Sequence, residues 1–130
     1  MQYQEIDESA QWQTNSNEIV PLFERNIVEA ETGYLEVIII ARALDNSIRV
    51  WHRAFSYRRI DNDVVQVGNT QNIVPSGNVS DTPAMDDLSV SQTFGTTKLR
   101  IRVHGRLNED IFWAARIRGV SLTPLSTARI

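Results

Sequence analysis

Cysteine is absent from this sequence of 130 residues, lysine occurs once, at Lys98, and no apolar run is longer than five residues, as in the stretch 37–41. Without cysteine there is no disulfide framework, no thiolate nucleophile and no Cys-based zinc site. Stability therefore has to come from packing or from assembly. Five apolar residues fall far short of the roughly 20 that a bilayer-spanning helix requires, so no membrane partner is expected. The opening MQYQEIDESAQWQ is acidic and polar. It has neither the basic nor the apolar segment of a secretory leader, and none is expected. With 42% hydrophobic and 22% charged residues, the composition is that of one ordinary globular domain with its own core.

Charge of one sign is missing from the first part of the chain. Residues 1–40 carry eight acids and a single base, Arg25, whereas the remaining ninety carry eight acids and twelve bases, for a net charge of −3. Twelve of the thirteen bases are arginine. Arginine binds through a planar fork and gives up less hydration than lysine, which suits it to interfaces and ordered ion pairs. An acidic arm can pair with an arginine-rich body between subunits; the alternative is that the acids only solvate a loose terminus. A net acidic chain is a poor candidate for nucleic-acid binding, and no nucleic-acid partner is expected.

What is present is strand signal almost throughout. Residues 1–18 are polar and show no period, so they read as an extended N-terminal arm with Trp12 as an anchor onto a neighbour. Ile19 and Val20 before Pro21 suit a short edge strand, where proline is tolerated. Residues 34–43 put Leu35, Val37, Ile39 and Ala41 on one face and are also apolar at the centre of the other, the pattern of a strand inside a sandwich or an oligomer. Residues 48–60 alternate Arg49, Trp51, Arg53, Phe55, Tyr57 and Arg59 with Val50, His52 and Ala54, and either parity can face the core. Residues 64–67 end at Gly68, and 69–87 read as loop with a brief strand at Ile73 and Val74. Leu88 and Val90 mark another short strand. In the stretch KLRIRVHGRLNEDIFWAARIRGVSL, Leu99, Ile101 and Val103 oppose Arg100 and Arg102, and Ile111, Trp113, Ala115 and Ile117 oppose Arg116 and Arg118. After Gly119 the apolar parity switches to Val120 and Leu122, the sequence signature of a β-bulge. The expectation is all-β: a single antiparallel β-sandwich or jelly roll of about seven or eight strands over 19–122, preceded by the 1–18 arm and followed by a 123–130 tail.

Few constellations carry chemistry. His52 and His104 stand alone, without metal-ligand spacing, and no nucleophile elbow or phosphate-binding loop occurs. The carboxylate pairs Asp61/Asp63, Asp86/Asp87 and Glu109/Asp110 fall at turns, where such residues bond their own backbone. No catalytic residue, metal site or cofactor is expected, and the chain reads as a non-enzyme. The unusual feature is the stripe Arg49-Trp51-Arg53-Phe55-Tyr57-Arg59, whose guanidiniums and rings share one face. It reads as a subunit interface, or alternatively as a platform for a glycan. Trp12, Arg100, Arg102, Arg116 and Arg118 complete the candidate interface.

The segments VIIIARA, VWHRAFSYRR, VVQVG, LSVSQ and KLRIRVHGRLNEDIFWAARIRGV resemble β modules of tailed-bacteriophage virion proteins. There, a strand ending in V-x-V-x-G precedes one with I-x-W-x-A-x-I, matched here by Val103-His104-Gly105 and by Ile111, Trp113, Ala115 and Ile117. The resemblance implies a structural module, commonly trimeric, found on virion shells and at fibre ends. It implies a capsid decoration (cement) protein, with a tail-fibre or head-fibre receptor- or carbohydrate-binding module as the alternative. The expected partners are further copies in a homotrimer, the major capsid protein or other virion proteins, and, for the alternative, a host-surface glycan. The expected location is the capsid surface or tail of the virion, after synthesis in the host cytoplasm.

Overall fold

The computed structural model describes residues 1–73, 78–80, 85 and 87–124. Among them the chain is all-β, with nine strands and no α-helix. These are β1 (Gln2–Thr14), β2 (Ile19–Asn26), β3 (Thr32–Ala43), β4 (Ile48–Ile60), β5 (Asp63–Asn72), β6 (Asn78–Ser80), β7 (Ser89–Phe94), β8 (Lys98–His104) and β9 (Ile111–Thr123). They form an antiparallel β-sandwich. The large sheet has the order β1-β9-β3-β4-β5, with β6 also paired to β4, and the small sheet has the order β2-β8-β7.

Alternation decides which side chains meet between the sheets. Leu35, Val37, Ile39, Ala41 and Ala43 of β3 and Ile111, Trp113, Ala115 and Ile117 of β9 point inward. Opposite them, β8 contributes Leu99, Ile101 and Val103. Trp51 stacks on Trp113 with ring centroids 5.7 Å apart and planes 24° from parallel, and Phe55 meets Phe94 edge-on at 5.8 Å. Such aromatic pairs contribute about 0.5–1.5 kcal/mol each beyond the area they bury.

The N-terminal stretch is a correction to the expected arm. β1 pairs with β9 over its whole length, from Gln2 opposite Thr123 to Thr14 opposite Ile111. It adds one strand to the expected number and forms one edge of the large sheet. The strand lacks a readable period because only Ile6 and Thr14 are buried along it. Its stability comes from the backbone ladder, which carries no side-chain signal. Trp12 lies on this strand opposite Trp113 and is about half exposed.

The bulge expected at Gly119 is absent. β9 stays in register with both neighbours through this point, with Gly119 between Ile6 and Leu35, and Ser121 between Gln4 and Gly33. The glycine is there for space: a Cβ would lie 1.9 Å from the Tyr34 carbonyl oxygen and 2.9 Å from Leu35 Cδ2. With no bulge, Val120 and Leu122 point outward, and the parity switch marks an apolar patch on the outer face.

Shorter elements differ as well. β2 is the expected edge strand with Pro21, but it extends to Asn26, with a register shift between Pro21 and Phe23. β5 continues past Gly68, whose φ of 74° suits glycine, and its register with β4 jumps between Ala54 and Ser56. The brief strand in the 69–87 segment is β6; Ile73 is a bend whose N–H donates to the His52 carbonyl at 2.8 Å, and Val74 lies outside the described residues. Thr123 closes β9, Pro124 follows, and the rest of the expected tail, like Asp86, lies outside the described residues.

Candidate assembly surface

The arginine and aromatic stripe of β4 faces the core, which corrects its reading as an interface or a glycan platform. Trp51, Phe55 and Tyr57 are each at most 2% exposed. The arginines beside them reach the backbone of segments that cross over the sheet. Arg49 donates to the carbonyls of Leu88 (2.6 Å) and Met85 (3.1 Å) and lies 5.0 Å from the Trp51 ring centroid. Arg53 donates to Val90 at 3.0 Å, and Arg59 to Ile27 at 2.8 Å. A guanidinium has donors enough to satisfy carbonyls that no ladder pairs, and its long stem packs against the rings. Both parities of this strand therefore carry arginine, and only the tertiary fold separates them.

The stripe ends in a buried polar cluster. Glu31 is 2% exposed and accepts hydrogen bonds from Tyr57 Oη (2.6 Å), the Val28 N–H (3.2 Å) and Arg25 Nη2 (3.4 Å). Burial and the adjacent carboxylate push the Tyr57 phenol well above its ordinary value. The carboxylate is engaged on both oxygens, and the cluster ties β2 and the loop before β3 to β4. Its role is to hold the fold together. Among the described residues, no three His, Asp or Glu side chains converge as metal ligands would.

The remaining candidates occupy two outer faces. Arg100 and Arg102 lie on the small sheet, where Arg100 Nε donates to Glu24 at 2.9 Å and Lys98 stands 3.7 Å from the same carboxylate. The Arg100 hydrogen bond holds Glu24 below the usual carboxylate range. Arg116 and Arg118 lie on the outer face of the large sheet, opposite in parity to Trp113, as the sequence indicates.

That outer face is the most unusual surface of the molecule. Registered strands set its side chains in rows: Glu5, Val120, Tyr34, Ser56 and Val67 in one, and Tyr3, Leu122, Thr32, Arg58 and Val65 in the next. Toward the other end, Gln11, Ala114, Ile40 and Val50 form a row beside Gln13, Phe112, Arg42 and Ile48. Tyr34, Ile40, Val65, Val67, Phe112, Val120 and Leu122 are each between 38% and 44% exposed. A shallow depression of about 360 Å³ lies over the Tyr34–Val120 end, and one of about 500 Å³ over the Ile40–Phe112 end.

Between these apolar bands runs a charged belt. Arg116 pairs with Asp7 at 3.2 Å, Arg118 with Glu36 at 3.2 Å, and His52 Nε2 lies 2.6 Å from the same Glu36 oxygen. The His52 contact, reinforced by Arg118, holds the Glu36 carboxyl below its ordinary value against the smaller opposing effect of burial. Exposed ion pairs of this kind contribute about 0–1 kcal/mol to folding. Their regular placement is better explained by recognition than by stability. Single exposed apolar residues are ordinary on a protein surface, whereas contiguous patches mark contact sites. Sequence reasoning named Arg116 and Arg118 but missed Tyr34, Ile40, Val120 and Leu122. The available signals were the doubly apolar centre of β3 and the parity switch after Gly119.

No protein-family model matches this chain, and no curated protein does.

Proposed function

We propose that this chain is a non-enzymatic structural protein of a tailed-phage virion, and specifically a decoration (cement) protein of the capsid surface. The observation that carries the reading is the outer face of the large sheet, where two apolar bands flank a belt of paired charges. A face of this kind is suited to burial against another protein. A rigid antiparallel sandwich can repeat one contact many times without rearranging. The sequence resemblance to virion β modules supplies the setting. In it the partners are further copies of the chain in a homotrimer, and the major capsid protein or other virion proteins.

Burial of Trp51, Phe55 and Tyr57 withdraws the rings on which a sugar was to lie, so the fibre-type carbohydrate-binding reading loses its motivating feature. The test is the protein composition of purified particles of the encoding phage, with antibody labelling to locate the chain. Labelling spread over the shell supports a decoration protein. Labelling confined to the tail contradicts the cement assignment, and absence from particles contradicts the virion reading altogether.

A further inference from the structure

The pattern of charge on the outer face identifies what covers it: we propose that a second copy of this chain packs there, sheet against sheet, about a two-fold axis parallel to the strands between β9 and β3. This deepens the reading of that face as an assembly surface, and it is separate from the three-fold association implied by the sequence resemblance.

The belt crosses four adjacent strands in the order Asp7 on β1, Arg116 and Arg118 on β9, Glu36 on β3 and His52 on β4. Arg118 and Glu36 are direct cross-strand partners, so they lie on one line perpendicular to the strands. A two-fold axis along the strands reverses that order in the facing copy. Arg118 then sits over the partner's Glu36, and Glu36 over the partner's Arg118. Asp7 comes over the partner's Ala54, one row along the strand from the partner's His52. An axis across the strands would instead bring β9 over β9, placing arginine against arginine. Charge order therefore selects one packing of the two, and like-charge juxtaposition opposes the other.

The same axis keeps each apolar band facing its own kind. Val120 comes over the partner's Tyr34, and Ala114 over the partner's Ile40. Two-fold contacts are isologous and need a surface complementary to itself, which this face is. Sheets stacked face to face cross at about −30°. Such a crossing leaves a centrally placed belt in contact while the corners diverge.

Charge reversal tests the pairing. Arg118→Glu sets carboxylate against carboxylate across the interface, and Glu36→Arg sets guanidinium against guanidinium. Each variant alone also loses its internal pair, a small exposed contact, and thermal unfolding checks that each still folds. Mixed at equal amounts, the two variants restore opposite charges across the interface while the internal pairs stay broken. Sedimentation equilibrium of the wild type is expected to give an even number of chains. Each variant alone should give half that number, and the mixture should recover the wild-type mass. An odd number of chains in the wild type, an unchanged mass in the folded single variants, or a mixture that stays at half mass would each overturn the pairing.

Discussion

Trp113 on β9 donates its indole N–H to the Thr14 hydroxyl on β1 at 3.0 Å, with both residues buried. This bond joins the last strand of the sandwich to the end of an edge strand that has little other burial. Replacing Thr14 by Val keeps the shape and removes the acceptor. A buried donor left unpaired costs about 1–3 kcal/mol. Urea unfolding of Thr14→Val should show a midpoint lowered accordingly, with the denaturant slope unchanged. An unchanged midpoint would mean that the indole finds another acceptor.

Gly119→Ala should be among the most damaging single-methyl additions in the chain. Its Cβ is placed 1.9 Å from a main-chain oxygen, which cannot move without displacing β3. Overpacking of this kind costs about 1–3 kcal/mol. Thermal denaturation compared with Gly95→Ala, where the nearest atom is 3.6 Å away, isolates the steric effect from the general glycine effect. Equal losses at the two sites would contradict the assignment.

Tyr57 supplies a pH signature at the alkaline end. Its phenol has a raised pKa in the fold, whereas the unfolded chain titrates near the ordinary value of 10.0. Between those values the unfolded state binds fewer protons than the folded state, so stability falls as pH rises above about 10. Tyr57→Phe should lose about 1.5–3 kcal/mol at neutral pH by leaving Glu31 short of one donor. It should also flatten the fall in urea midpoint above pH 10. A variant with the same alkaline slope as the wild type would show that Tyr57 does not carry it.

Glu36 gives the complementary signature in acid. With a folded pKa below the ordinary 4.5, its pairing contributes stability that is fully present above that value and is lost as pH falls through the folded pKa. Carbon-detected NMR titration should place the Glu36 carboxyl midpoint below 4.5, and His52→Ala should move it upward by removing the largest cause. A midpoint unmoved in His52→Ala would assign the shift to Arg118 instead.

Much of the sandwich is legible in the sequence because its central strands alternate cleanly. β8 shows one apolar parity, β3 and β9 each keep one parity wholly apolar as far as Ala43 and Ile117, and β4 begins and ends where turn residues bracket it. Two features escape alternation for physical reasons. β1 is held by main-chain bonding at an edge, where side chains can be polar on both faces. In β4 the arginines turn inward to satisfy carbonyls of crossing segments, so charge ceases to mark the solvent side. The candidate surface was hidden by the same logic. Val120 and Leu122 read as core once a bulge is assumed, and only the unbroken register of β9 shows that they face outward. An apolar residue in a strand signals burial by something, but the sequence does not say whether that something is the chain's own second sheet or another protein.

The most direct test of the outer face as an assembly surface is hydroxyl-radical footprinting of Tyr34 and Phe112, read by mass spectrometry in the isolated dilute chain and in purified particles of the kind to which the proposed function assigns it. Both rings lie on that face and are about two-fifths exposed in the single chain. Ready oxidation of both is predicted in the chain diluted to single copies and strong protection of both in the particle, with Leu107 in the turn before β9 as an exposed reference. Equal oxidation of Tyr34 and Phe112 in the two samples would contradict it.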